Sequence, residues 1–227
     1  MKDTPSRQVS APGHFWTNSQ FNATDAVFYH SMIRMAQPRQ VLEIGAGYST
    51  MVSTRAAAFN NDTRVRCIEP YPMEALKNGM PGLDELIHSP LQSVPVSQFE
   101  SLQPNDILFV DSTHVGKIDS DVNYIFFQIL PRLQPGVIVH FHDIFLPNDY
   151  PRDWMVDHRL FWNEQYFLLA FLLFNPRVEV LLASSYLGKE HVKDIEAAFP
   201  FLPDFGEASF WLSLQIERIL PLDSGFE

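Results

Sequence analysis

A chain of 227 residues with 46% hydrophobic side chains is long enough for one large α/β domain with its own core. Its net charge of -11 argues against a nucleic-acid substrate, which needs a positive footprint, and against an anionic membrane surface. A single cysteine, Cys67, excludes an internal disulfide and fits a reducing, cytoplasmic setting; inside an apolar run it reads as a small core residue.

In chain order, residues 1–13 are polar with two prolines and read as a loose arm, so 1–23 is expected to be an N-terminal arm or cap and 24–227 one domain. No leader segment is expected. Within the arm, Phe15-Trp16-Thr17-Asn18-Ser19-Gln20-Phe21 is placed to cover a ligand. A helix is expected over 24–36. The run Val41, Leu42, Ile44, carrying Glu43, then reads as a buried strand over 40–44 that enters a turn at Gly45-Ala-Gly47. Glycines let the backbone turn tightly and come close to a ligand, and a helix over 49–59 would present its free N–H groups there. Thr50 stands where a dinucleotide fingerprint has its third glycine, and an acid within the strand suits a ligand bearing a cationic amine. A tight turn with no ligand is the plain alternative.

A second strand over 64–68 ends at Glu69, an acid placed to accept ribose hydroxyls or simply solvated at a strand end. A helix over 72–78, a short strand over 85–88, and a helix or loop over 94–100 follow. The fourth strand, 106–110, ends in Asp111 and is followed three residues on by His114. A helix over 119–132, with Asp119 and Asp121 as cap and first-turn acids, ends before Pro135-Gly136; strand 137–141 then leads to His142-Asp143. A helix over 160–174, whose apolar stretch is too short for a membrane span of ~20 residues and reads as buried, precedes a strand over 177–183 and a last strand over 207–214. Short apolar runs alternating with helical patterns give an α/β, Rossmann-like, doubly wound fold: a mostly parallel seven-stranded sheet with an antiparallel edge strand and helices on both faces. Such sheets bind ligands at the carboxyl ends of their strands, where the glycine turn, Glu69, Asp111 and Asp143 all fall.

The blocks Glu43-Ile-Gly-Ala-Gly47, Ile68-Glu69-Pro70, Asp106-Ile-Leu-Phe-Val-Asp111-Ser-Thr-His114 and Gly136-Val-Ile-Val-His-Phe-His142-Asp143 together resemble the class I S-adenosylmethionine-dependent methyltransferases over roughly residues 25 to 145. The form D-x-x-H, helix, L-x-P-G, strand, H-D is similar to a branch that includes O-methyltransferases of sugar and natural-product pathways. The resemblance implies that Glu43, Gly45 and Gly47 hold the methionine end of S-adenosylmethionine and that Glu69 holds its ribose, with Asp111 also near the cofactor. It implies a metal site at Asp111, His142 and Asp143 in the manner of metal-dependent members, with His114 as general base and Asp111 and Asp143 as catalytic partners. The imidazole of His142 departs from the usual oxygen ligand, which leaves magnesium or manganese, and the metal itself, open. Ser89 and Gln92 fall where family members contact adenine.

Plainer readings stand beside these. Asp111 could cap its turn, and His140, on the same strand face as His142, reads as a satisfied interior histidine. Residues 144–166, rich in aromatics and carrying Asn163, Glu164 and Gln165, are expected to form a lid over the reaction centre, or part of a dimer interface. The expected function is methylation of a small-molecule acceptor, a saccharide or natural product, at a hydroxyl; no nucleic acid and no membrane take part, and a homodimer is allowed. The alternatives are an oxidoreductase using NAD or NADP and a non-catalytic protein that binds an adenosyl ligand.

Overall fold

The central strands are buried on both faces, since helices cover the sheet from both sides there. The structure is a computed structural model describing residues 18, 20–202, 205–206 and 208–215. Most of the expected N-terminal arm, including Phe15, Trp16, Thr17 and Ser19, lies outside the described residues.

Strands β1 (Gln40–Ile44), β2 (Arg64–Ile68), β3 (Glu85–Ile87), β4 (Ile107–Val110), β5 (Ile138–His142), β6 (Val178–Ala183) and β7 (Ser209–Leu214) form one sheet in the order β3-β2-β1-β4-β5-β7-β6. The first five pair in parallel; β7 runs antiparallel to both β5 and β6, and β6 makes the outer edge. The expected seven-stranded, mostly parallel sheet with an antiparallel edge is what forms, and the two-stranded step β7–β6 builds that edge.

The helices are α1 (Ala23–Ala36), α2 (Tyr48–Ala57), α3 (Glu74–Lys77), α4 (Ser97–Glu100), α5 (Asp121–Tyr124), α6 (Arg152–Val156), α7 (Glu164–Leu172), α8 (Ser184–Glu190) and α9 (Val192–Ala198). Strand alternation sorts the core into two layers. Val41, Val65, Ile107, Phe109, Ile138 and Trp211 pack on Tyr29 and Ile33 of α1 and on Val52 and Ala56 of α2. Leu42, Ile44, Leu108, Val110, Val139 and Phe141 face the other way, onto Phe99, Val122, Ile125, Ile129 and Leu168. Asn22 caps α1 by accepting from the Asp25 N–H.

Three expectations need correction. The helix over 119–132 starts at Asp121 with Ser120, not Asp119, as its cap, and it changes pitch: a wide turn over Ile125–Ile129, then a tight one over Leu130–Arg132. Pro131 is the cause, because it brings no N–H to the ladder and its ring crowds the carbonyl four residues back. The helix expected over 160–174 begins only at Glu164 and is not buried. Leu168 is fully enclosed, but Tyr166, Leu169 and Leu173 are exposed, since α7 lies on the outside of the helical layer. Helices α6, α8 and α9 were not expected. No helix among the described residues is long and apolar enough to cross a membrane.

Strand order reverses between β1 and β4, which opens a crevice at their carboxyl ends. Register makes that crevice sharp. Ile44 pairs with Ile68 and with Val110, and Val110 pairs with Phe141. Gly45, Glu69, Asp111 and His142 therefore stand one step beyond a common rung.

Candidate active site

The two glycines do different work. Gly45 has φ +84°, and a Cβ there would run into the Asp111 carbonyl, so only glycine fits where β1 leaves the sheet beside β4. Gly47 has extended backbone that any residue can adopt, and an added Cβ would meet only Met73 at 3.8 Å. Its contribution is an open approach to the cavity in front of α2.

Glu43 lies beneath this turn and lines neither cavity of the crevice. The Tyr29 hydroxyl donates to its Oε1 at 2.7 Å and the Thr50 hydroxyl to its Oε2 at 2.6 Å, while Thr50 Oγ1 accepts from the Gly47 N–H at 3.1 Å. Thr50, standing where a third glycine would be, thus ties the turn to a buried acid. Burial pushes the Glu43 carboxyl up to about 7, against the hydrogen bonds from Thr50, Ser53 and Tyr29. Glu69 is anchored by the N–H groups of Ala46 at 3.2 Å and Tyr71 at 2.7 Å, which aims its carboxylate along the crevice.

Two cavities meet here. One, of about 330 Å³, is bounded by Gly45, Glu69, Leu91, Gln92, Asp111 and Thr113; Ser89 does not line it. The other, of about 580 Å³, lies before the N-terminus of α2 and is bounded by Asn18, Gly47, Asp111, His142, Asp143 and Trp162, among others. Asp111 lines both.

At that junction the expected residues converge. His114 Nε2 lies 3.4 Å from Asp111 Oδ1 and 3.6 Å from Asp143 Oδ2; His142 Nδ1 lies 3.7 Å and 3.4 Å from the same two oxygens. The Asp111, His114 and Asp143 donors all lie within 4.8 Å of one another, a spacing that could hold a metal ion. His114 and Asp143 both have left-handed backbone, φ +60° and +56°, a conformation costing about 1–3 kcal/mol at a non-glycine residue.

Two residues to which the sequence assigned no site role stand behind the rings. Glu164 Oε2 accepts from His114 Nδ1 at 2.9 Å and from the Ser112 hydroxyl at 2.9 Å, and Asp25 Oδ2 lies 3.3 Å from His142 Nε2. Both acids are fully buried. In the sequence Glu164 is an acid at the head of an apolar run, and Asp25 stands in the first turn of α1, where an acid is ordinary. Burial by itself lowers both imidazole pKa values, but the surrounding carboxylates outweigh it. His114 is raised to about 10 by Asp111, Glu164 and Asp143, and His142 is raised by Asp143, Asp111 and Asp25. Burial would raise Asp111, yet the neighbouring His114 and His142 rings and their charge hold its carboxyl well below the usual range. His140 stays out of the cluster. It stacks on Phe109, shares a hydrogen bond with Ser209, and burial drives its pKa down, as suits an interior neutral ring.

Phe145, Trp154, Leu160 and Trp162 of the aromatic segment line the larger cavity. The Trp162 ring sits 4.2 Å from that of His114, and Trp162, Trp154, Phe145 and Tyr150 meet edge to face. Gln165 pins the segment, accepting from the Phe145 N–H and donating its own N–H to the Tyr150 hydroxyl. Phe161 and Tyr166 point outward.

Residues 42–144 match a family model described as a methyltransferase domain. An uncharacterized protein of Archaeoglobus fulgidus is 33% identical over 98 residues, a stretch covering 41% of this chain and 44% of that protein, so the match spans less than half of the relative. The fold is similar to that of the O-methyltransferase TomG from Streptomyces achromogenes, involved in tomaymycin synthesis and solved with S-adenosylmethionine (TM-score 0.50, 18% identity, 86% of this chain and 81% of that one). The matched segment runs from β1 to Ile144 and holds the glycine turn, Glu69, Asp111, His114, His142 and Asp143. Residues 42–144 are thus similar to a methyltransferase domain, and the fold as a whole is similar to that of an O-methyltransferase.

Proposed function

We propose that the protein transfers the methyl group of S-adenosylmethionine to a hydroxyl of a small molecule, a saccharide or natural product being the acceptor class. The observation that carries this reading is that Asp111 lines both cavities. A ligand crossing Gly45 would set its adenosyl group beside Glu69 and Gln92, and its methionine end before α2 near Gly47. Its sulfonium charge would lie near Asp111, an acid that stays ionised. The neutral product thioether loses that attraction, which favours release.

Methyl transfer is a displacement at an already activated donor, so the protein's work is alignment and removal of the acceptor proton. The lid aromatics exclude water and offer faces for a ring-shaped acceptor. Two devices in the cluster bear on the proton: a divalent ion at Asp111, His142 and Asp143, or His114, steadied by Glu164, which with its pKa raised to about 10 accepts a proton only when alkaline pH or a bound ion has removed its own. The residues present fit an ion, since His142 Nδ1 is buried without a hydrogen-bond partner and faces both carboxylates. When bound, an ion would lower the pKa of the acceptor hydroxyl. The site has no need of a membrane or nucleic acid, and a cytoplasmic setting suits this reading.

The test is methyl transfer from isotopically labelled S-adenosylmethionine to a panel of polyhydroxylated and phenolic acceptors, read by mass spectrometry. Label on a hydroxyl oxygen supports the reading. Hydride exchange with NAD or NADP and no methylation on any acceptor would refute it.

A further inference from the structure

We infer that the outer face of α7, with the groove beside it, docks a second copy of this chain, joining two α7 helices antiparallel about a two-fold axis near Ala170. The inference stands apart from the proposed methyl transfer, because the groove shares no lining residue with either cavity of the crevice.

Two uncharged stretches of sequence meet at this face. No charged residue occurs over 122–131 or over 165–176. Helix α7 gives Leu168 to the core, and apolar residues on its other side stay in the open: Tyr166, Leu169 and Leu173 are exposed, and Phe174, just past the helix end, is 100% exposed. Opposite them, the wide turn over Ile125–Ile129 buries Phe126 and leaves Phe127 59% exposed. Between the two elements runs a groove of about 540 Å³, walled by Phe126, Phe127, Tyr166, Phe167, Ala170 and Phe171. Phe167 meets Phe127 edge to face and lies tilted against Phe126, so the walls are aromatic rings.

Three observations make the occupant another copy. The first is self-complementarity: a knob, Phe174, and a hole, the groove, belong to the same helix. In an antiparallel pair centred on Ala170, position 174 of one copy falls opposite 166 of the other, and 173 opposite 167. Each Phe174 then enters its partner's groove, a contact that closes at two subunits. Ala170, exposed and small at the centre, lets the helix axes approach to about 8–10 Å. The second is area. Phe127, Tyr166 and Phe174 alone leave roughly 400 Å² in water, at about 200 Å² per aromatic side chain. That is half of the ~800 Å² that each partner gives to a standard interface, before Leu169, Leu173 and the groove walls are added. The third is charge. Copies carrying -11 each repel wherever charged faces meet, and this face brings no charges together, whereas a cationic partner would be drawn to the acidic surfaces instead. The Tyr166 hydroxyl, donating to Asp149 at 2.8 Å, begins the polar rim.

The test is sedimentation equilibrium of the full chain over a micromolar concentration series. A species of twice the chain's 26.1 kDa is expected. Phe174→Asn removes the knob and suits the left-handed backbone there, φ +59°, so it should keep the fold while weakening association at least ~10-fold, as loss of an aromatic anchor does. Ala170→Arg sets like charges face to face across the axis and should leave monomer only, with circular dichroism confirming the fold of both variants. Met35, 79% exposed on α1, supplies the control: Met35→Asp should leave the mass unchanged. A single 26.1 kDa species throughout the series, or a dimer that survives both Phe174→Asn and Ala170→Arg, would overturn the inference. S-adenosylhomocysteine binding on the same samples reports separately on the methyl-transfer reading.

Discussion

The glycine turn and the imidazole cluster sit a few residues apart in space and are held in opposite ways. The turn is held locally. Gly45 follows β1 directly, its clash partner Asp111 is on the neighbouring strand, and Glu43 reaches Thr50 within the same strand–turn–helix unit. The cluster is held from a distance: Glu164 comes from α7 and Asp25 from α1 to orient rings that belong to the β4 and β5 ends. Under the proposed function, the turn in front of the cofactor's methionine end is built mainly into one strand–turn–helix unit, whereas the cluster on the acceptor side needs α1 and α7 from outside it. Variants on the two sides should separate binding from turnover.

The largest effect belongs to the cluster. His114→Ala should lower turnover by about 10³-fold, while affinity for S-adenosylhomocysteine, measured by calorimetry, changes less than about threefold. A parallel loss of affinity would erase the division between the two regions.

The next effect concerns the acid under the turn. The folded pKa of Glu43, about 7, lies above its usual value of 4.5. Its protonated form therefore favours folding: that stability is fully present below pH 4.5 and is lost as pH rises through about 7, by about 3 kcal/mol on an order-of-magnitude scale. Glu43→Gln should flatten the slope of stability against pH in that window, as read by urea unfolding at several pH values. An unchanged slope would show that another group produces it.

Gly45→Ala should cost about 2–3 kcal/mol, combining left-handed backbone with the collision at Asp111. Gly47→Ala should cost far less in stability and act instead on cofactor affinity, since its Cβ has room in the protein. Thermal unfolding of the two variants side by side decides this. Glu69→Ala should weaken cofactor binding by about 10-fold, the order expected for hydrogen bonds to a charged group, with turnover at saturation preserved. A loss confined to turnover would remove Glu69 from the ribose.

What was legible in the sequence follows the same division. The first five strands, the helices flanking Gly45-Ala-Gly47 and the strand-end acids Glu69, Asp111 and Asp143 could be read because each lies within a short periodic or punctuated segment. Glu164 and Asp25 could not be assigned, because burial of an acid beside a distant histidine leaves no local pattern. The placement of Glu43 beneath the turn was hidden for a related reason: its partner Tyr29 lies on α1, outside the motif. The pitch change before Pro131 was readable in principle from the proline alone, whereas the exposure of α7 was not. Its uniformly apolar run conceals which side meets the core.

The most direct test of the central claim is calorimetric titration of S-adenosylhomocysteine and of NAD into metal-stripped protein, repeated with Glu69→Ala. The account predicts one molecule of S-adenosylhomocysteine per chain, about 10-fold weaker binding in the variant, and no heat with NAD. Binding of NAD with no response to S-adenosylhomocysteine would contradict it.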